Sequence, residues 1–180
     1  MSKVLMISAA FVFIVLGAVA IHAFASDDVP QAGQTAPAFT LPSQEGTPVS
    51  LDSYKGKWVV LYFYPRDMTS GCTREAHGFQ NDLDKYKAAN AVILGVSVDS
   101  VDSHKQFCAK DSLSFTLLSD ADKKVVASYG SLGNFGVVQI AKRNTFLIDP
   151  SGKIVKVWTG VDPSHHSEEV LAALQGFEKQ

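Results

Sequence analysis

Of the two cysteines in this 180-residue chain, Cys72 is surrounded by the residue types that make a thiol reactive. It follows Pro65-Arg66-Asp67-Met68-Thr69-Ser70-Gly71 and precedes Thr73-Arg74-Glu75. Upstream, Trp58 to Tyr64 is a continuous apolar run rich in β-branched and aromatic residues, the pattern of a strand covered on both faces, and Pro65 ends it. Downstream, Ala76, Phe79, Leu83 and Tyr86 mark one face of an amphipathic helix from Thr73 to Lys87. Cys72 therefore falls in a tight loop at the first turn of a helix. Unpaired backbone N–H groups and the positive end of the helix dipole stabilise an anion there, which favours thiolate over thiol. The thiolate is the nucleophile, so the position is worth about a tenfold gain in reactive population. The competing reading, an inert core cysteine, fits poorly with the Ser, Thr, Gly and charged neighbours.

The second cysteine, Cys108, allows a single structural disulfide as the plainest use of the pair. The compartment bears on this. After Lys3 no formal charge occurs until Asp27, and Val4 to Ala25 is dominated by apolar residues. A basic start, an apolar run and Ala23-Phe24-Ala25 make the three regions of a secretory signal peptide, with cleavage after Ala25. That division gives a signal over residues 1–25, a domain over 26–180, and a periplasmic or secreted product with no stable membrane association. The alternative is an uncleaved membrane anchor, since the run approaches the roughly 20 apolar residues that span a bilayer. An exported chain meets an environment where disulfides persist.

The remaining elements position these residues. Asp27 to Leu51 reads as loops with short strands. Ala91 to Val98 is a second buried strand, and Ser103 is expected to cap a helix through Phe107 and Cys108 to about Lys110. A short apolar stretch (Phe115 to Leu118), a helix from Lys123 to Tyr129 and a mobile loop over Gly130 to Gly136 follow. Thr145 to Asp149 and Lys153 to Trp158 form a hairpin about Pro150-Ser151-Gly152, and Glu168 to Phe177 closes the chain as an amphipathic helix. This order predicts an α/β, thioredoxin-like fold with a mixed central sheet flanked by helices. The crossover rule then sets the helix after Cys72 at the carboxyl end of the Trp58 strand.

With those residues in view, the chain resembles a known family. Pro65-x-x-x-Thr69-x-x-Cys72 is similar to the active-site motif of peroxiredoxins. The longer runs Val59 to Pro65, Gly71 to Glu75, Gly95 to Asp99, Leu117 to Asp120 and Arg143 to Asp149 resemble its bacterioferritin-comigratory, or peroxiredoxin Q, branch. The resemblance covers nearly all of the chain after residue 25. It implies a thiol-dependent peroxidase acting on hydrogen peroxide and organic hydroperoxides. Cys72 would be the peroxidatic cysteine, Thr69 a hydroxyl binding peroxide and thiolate, Arg143 the guanidinium stabilising both, and Pro65 a shield. Many members of this branch place a resolving cysteine five residues after the peroxidatic one, where this chain has His77. Cys108 resembles the placement in a subgroup whose resolving cysteine lies on the later helix. The alternative use of Cys108 is packing, in a one-cysteine peroxidase resolved by an external thiol. A thioredoxin-like dithiol is the reductant this implies, and the branch is often monomeric. Glu75 either orients a nearby Arg or favours the helix N-terminus, and stays outside the expected catalytic set.

Several functions are disfavoured. A thiol–disulfide oxidoreductase on the same fold would carry Cys-x-x-Cys, and the residues three before and three after Cys72 are Thr69 and Glu75. A formal charge of −2 without a basic cluster argues against nucleic acid. His104 with Cys108, or His165 with His166, gives too few ligands for a metal site, and no organic cofactor is implied.

Overall fold

The computed structural model describes residues 28–178. The expected signal segment and its cleavage site lie outside them. Among the described residues, no helix is long and apolar enough to cross a membrane.

A five-stranded mixed sheet organises the chain. Its centre is β3 (Trp58–Phe63), which pairs in parallel with β4 (Ala91–Ser97) and antiparallel with β8 (Asn144–Ile148). β5 (Thr116–Ser119) extends the parallel side and β9 (Ile154–Thr159) the antiparallel side. A minor ribbon of β1 (Thr40–Pro42) and β2 (Pro48–Ser50) precedes them. Successive strand residues point to opposite faces, and β3 divides its side chains between two cores accordingly. Val60 and Tyr62 join one with α1 (Ser70–Asn81), α2 (Leu83–Ala88) and α5 (His166–Phe177). Val59, Leu61 and Phe63 join the other, with Val126 of α4 (Lys124–Ser128) and Phe146. The continuous apolar run from Trp58 is thus a strand buried on both faces, and the thioredoxin-like architecture is present.

The single helix expected over Thr73 to Lys87 is two. The chain turns at Asp82, whose buried carboxylate accepts from Lys85 Nζ at 2.7 Å and Ser167 Oγ at 2.9 Å. A polar residue that satisfies itself against α5 here overrides an uninterrupted 3.6-residue periodicity. α3 (Val101–Asp111) is capped by Ser100, whose hydroxyl accepts from the Ser103 N–H at 3.3 Å, and not by Ser103 itself. Ser103 is instead engaged with Asp67. The loop expected over Gly130 to Gly136 is largely a hairpin, β6 (Leu132–Phe135) with β7 (Val138–Ala141), turning through Gly136 at φ +68°. Its far end runs into Arg143.

Candidate active site

β3 ends at Phe63, and the Tyr64 N–H still bonds to the Val96 carbonyl at 3.1 Å. Pro65, half-buried, turns the chain away from the sheet. The loop reaches Thr69, which occupies the extended N-cap position of α1 with φ −83° and ψ 150°. The Thr73 N–H closes the first helical turn on the Thr69 carbonyl at 2.8 Å. Cys72 is consequently the third residue of the helix, where backbone N–H groups lack intrahelical partners.

The structure brings Cys72 and Arg143 together. The Arg143 Nη2 donates to Cys72 Sγ at 3.3 Å, while Nη1 of the same guanidinium lies 2.5 Å from Glu75 Oε2. Glu75 stands one turn after Cys72 on the same helical face, so both project toward one cation. Gly71 allows the approach, because a Cβ there would lie 3.1 Å from Arg143 Nη2. Arg143 is held from behind by the Val161 N–H, which donates to its carbonyl at 3.0 Å.

Cys72 is only 1% exposed despite its polar neighbours in sequence. Its contacts nonetheless separate it from an inert core thiol, because a fixed cation donates to its sulfur. Two buried polar atoms near this pair have no hydrogen-bond partner among the described residues: the Tyr62 hydroxyl and Glu75 Oε1. Burial, reinforced by the charges of Glu75, Cys72 and Asp67, pushes the Tyr62 hydroxyl well above its ordinary value and keeps it protonated.

Burial also pushes the Glu75 carboxyl up to about 7, with Arg143 pulling in the opposite direction. Burial opposes ionisation of Arg143, but the charges of Glu75 and Cys72 hold it above its ordinary value. Between about 4.5 and 7 the folded protein therefore binds more protons at Glu75 than the unfolded chain does. That contribution makes stability decline as pH rises through the window. Glu75→Gln removes it. The Tm of the native protein minus that of the variant should fall steadily between about pH 5 and pH 7.5, and parallel Tm curves would contradict the assignment.

Thr69 is exposed at the mouth of the loop, and its hydroxyl donates to the Arg66 carbonyl at 3.0 Å without capping the helix. Cys108 is half-buried in the last turn of α3, and neither cysteine is in a disulfide. Burial, with the nearby charges of Asp67 and Glu45, pushes its thiol up to about 11. Among the described residues, no group of three or more His, Cys, Asp or Glu side chains is placed to hold a metal ion.

Sequence reasoning missed a second polar cluster beside this site. Asp67 Oδ2 accepts from Ser103 Oγ at 2.7 Å and pairs with His104 Nδ1 at 2.8 Å, while Tyr64 OH donates to Asp67 Oδ1 at 2.7 Å. The Asp67 N–H donates to Asp99 at 2.9 Å. Burial raises the Asp67 carboxyl, but the hydrogen bonds and charge of His104, with Ser103 and Tyr64, more than offset it and leave it below its ordinary value. A buried aspartate and histidine 37 residues apart leave no local signal, and only the topology joins them.

A helix-borne cysteine paired with a fixed guanidinium at the carboxyl edge of a thioredoxin-like sheet defines a thiol-based redox enzyme. The model of the AhpC/TSA family matches residues 32–157. A putative peroxiredoxin Bcp of Coxiella burnetii is 47% identical over 148 residues, covering 80% of this chain and 98% of that protein. A Xylella fastidiosa PrxQ cysteine-to-serine mutant superposes with a TM-score of 0.78 at 36% identity, over 82% of this chain and 97% of that one. The Xanthomonas campestris bacterioferritin comigratory protein, solved in work on its alkyl peroxide reduction, gives 0.77 at 37% identity, over 82% and 99%. The chain belongs to the AhpC/TSA family, in its peroxiredoxin Q/Bcp branch, and is a peroxiredoxin-type thiol peroxidase.

Proposed function

We propose that Cys72 is the peroxidatic cysteine, that Arg143 stabilises both its thiolate and the transition state, and that Cys108 resolves the oxidised product. The observation that carries this is the single guanidinium divided between Cys72 Sγ and Glu75. The Cys72 sulfur attacks the terminal peroxide oxygen and the O–O bond breaks. The departing oxygen gains charge, takes a proton and leaves as water or alcohol, and Cys72 is left as a sulfenic acid. Charge passes from sulfur to the leaving oxygen, so a fixed donor beside both acts most strongly as the bond breaks. Glu75 orients Arg143, Pro65 screens the sulfur from water, and the Thr69 hydroxyl exchanges the Arg66 carbonyl for the incoming peroxide. The substrates are hydrogen peroxide and organic hydroperoxides. The alkyl peroxide reduction activity of the related Xanthomonas campestris protein supports the second class.

In the second half of the cycle Cys108 condenses with the sulfenic acid, and a thioredoxin-type dithiol reduces the resulting disulfide by exchange. A thiol held at about 11 is almost wholly protonated near neutrality, which suits a residue that acts only after leaving its burial. One equivalent of hydrogen peroxide added to the reduced protein should yield a monomeric Cys72–Cys108 bond in a non-reducing peptide map. Cys108→Ser should retain a full first turnover and lose most dithiol-driven turnover. Equal steady-state rates for variant and native protein would establish external resolution instead.

The apolar, uncharged stretch from Val4 to Ala25 supports export through a cleaved signal to the periplasm or outside the cell, and the branch resemblance supports function there as a monomer. Protein recovered from the producing cells should begin at Ser26. An intact N-terminus in the membrane fraction would support the anchored form.

A further inference from the structure

The two ends of α3, which carries Cys108, are held in different ways. At its start, Ser103 and His104 bond to the Asp67 carboxylate, and the Asp67 and His104 side chains are 1% and 0% exposed. Hydrogen bonds to a charged group out of reach of water are strong, so this end is anchored. At its finish, Ser112 adopts a left-handed conformation with φ +54°, and the N–H groups of Ser112 and Leu113 both converge on the Cys108 carbonyl. Burial of Phe107 and Leu113 holds this end to the core, and α1 adds polar bonds to it. His77 Nε2 pairs with Asp111 Oδ1 at 3.1 Å, with His77 48% exposed. The Ser114 N–H donates to Gln80 Oε1 at 2.8 Å and Gln80 Nε2 to Ser114 Oγ at 3.0 Å. Bonds in contact with water contribute far less than buried ones.

We propose that His77, together with Gln80, is a positioning residue for resolution: it clamps the finish of α3 to the helix of Cys72, and its release lets Cys108 swing to Cys72 about the anchored start. The proposal rests on Cys108 being the resolving thiol. His104 and Cys108 are four residues apart, about 6 Å along a helix and up to ~13 Å extended, so unwinding α3 from His104 through Cys108, which also draws Phe107 out of the core, gains roughly 7 Å of reach. The clamp joins the two cysteine-bearing helices directly, so unwinding either one loosens the other. His77 thereby has a function at the very position where the family resemblance leads one to expect a cysteine. In the step itself the Cys108 sulfur bonds to the Cys72 sulfur and the S–O bond of the sulfenic acid breaks. The departing hydroxide takes the Cys108 proton and leaves as water, with no further oxidant.

The experiment is a single turnover of the reduced, isolated protein with one equivalent of hydrogen peroxide, quenched in acid and followed by mass spectrometry. It resolves oxidation of Cys72 from disulfide formation. His77→Ala/Gln80→Ala should form the Cys72–Cys108 bond about tenfold faster, with Cys72 oxidation unchanged and less sulfinic acid at excess peroxide. Asp111→Asn, which breaks the pair from the other helix, should move the rate the same way by about two- to fivefold. Ser103→Ala, at the anchored end, should stay within about twofold of the native rate. An unchanged or slower disulfide rate in the double variant overturns the clamp, and so does equal acceleration by Ser103→Ala. If the native protein forms no Cys72–Cys108 bond, the assignment of Cys108 fails and the clamp with it. A bond that forms at one rate in all variants defeats the clamp alone.

Discussion

Cys72→Ser should lower peroxide consumption by on the order of 10⁴-fold or more, to the background of the buffer. A serine hydroxyl is scarcely ionised near neutrality, and among the described residues no base is hydrogen-bonded to the sulfur it would replace; the cation from Arg143 stabilises an anion that serine does not supply. Cys108 cannot take over, because a thiol held at about 11 is ionised in roughly one molecule in 10⁴ at pH 7. The fold should be little affected. Serine is close in shape to cysteine, and its oxygen can accept the same Arg143 hydrogen bond. A peroxide assay with a dithiol donor, beside a Tm within a few degrees of the native value, checks both halves. Residual activity above about 1% would contradict the role of Cys72.

Arg143→Ala should cost about 10²- to 10³-fold in the rate of Cys72 oxidation, the usual loss when one transition-state donor is removed. It should also destabilise the protein, because Glu75 is then buried without its partner; breaking such a pair costs about 3–5 kcal/mol when the remaining group stays charged. Glu75 already sits at about 7, so protonation relieves that cost and the loss of Tm should shrink toward acid pH. The double variant Arg143→Ala/Glu75→Gln separates the two effects. It should regain most of the lost stability and none of the lost rate. Arg143→Lys keeps the charge without the two-pronged donor and should fall between, at about tenfold. A single variant with native oxidation kinetics would remove Arg143 from the mechanism.

The sequence-level reading succeeds where chemistry is local. The buried strand from Trp58, the turn at Pro65 and the apolar face of Ala76 and Phe79 place Cys72 at a helix start without reference to any distant residue. Arg143 is harder: beside Lys142 it reads as surface charge, and its role emerges from the family motif before a buried strand. Antiparallel pairing of β8 with β3 brings it, 71 positions away in sequence, to the sulfur. Glu75 is legible as a residue able to orient an arginine, but one turn of helix cannot show which arginine. The break at Asp82 and the network around Asp67 depend on partners 85 and 37 residues distant. Their energetic reasons are tertiary hydrogen bonds, which override helical periodicity and leave no trace in local spacing. The hairpin of β6 and β7 escapes a reading by pattern because its glycines suggest a loop, while its exposed Phe135 and Val137 give no one-sided alternation.

The central claim is that peroxide oxygen is received at Cys72. Reduced protein mixed with less than one equivalent of hydrogen peroxide, in the presence of a reagent specific for sulfenic acid, tests it directly by peptide mapping. In Cys108→Ser the adduct should fall on Cys72 alone, in proportion to the peroxide consumed. Peroxide consumed at an undiminished rate without an adduct on Cys72, or an adduct on Cys108 of the native protein before any on Cys72, would contradict the account.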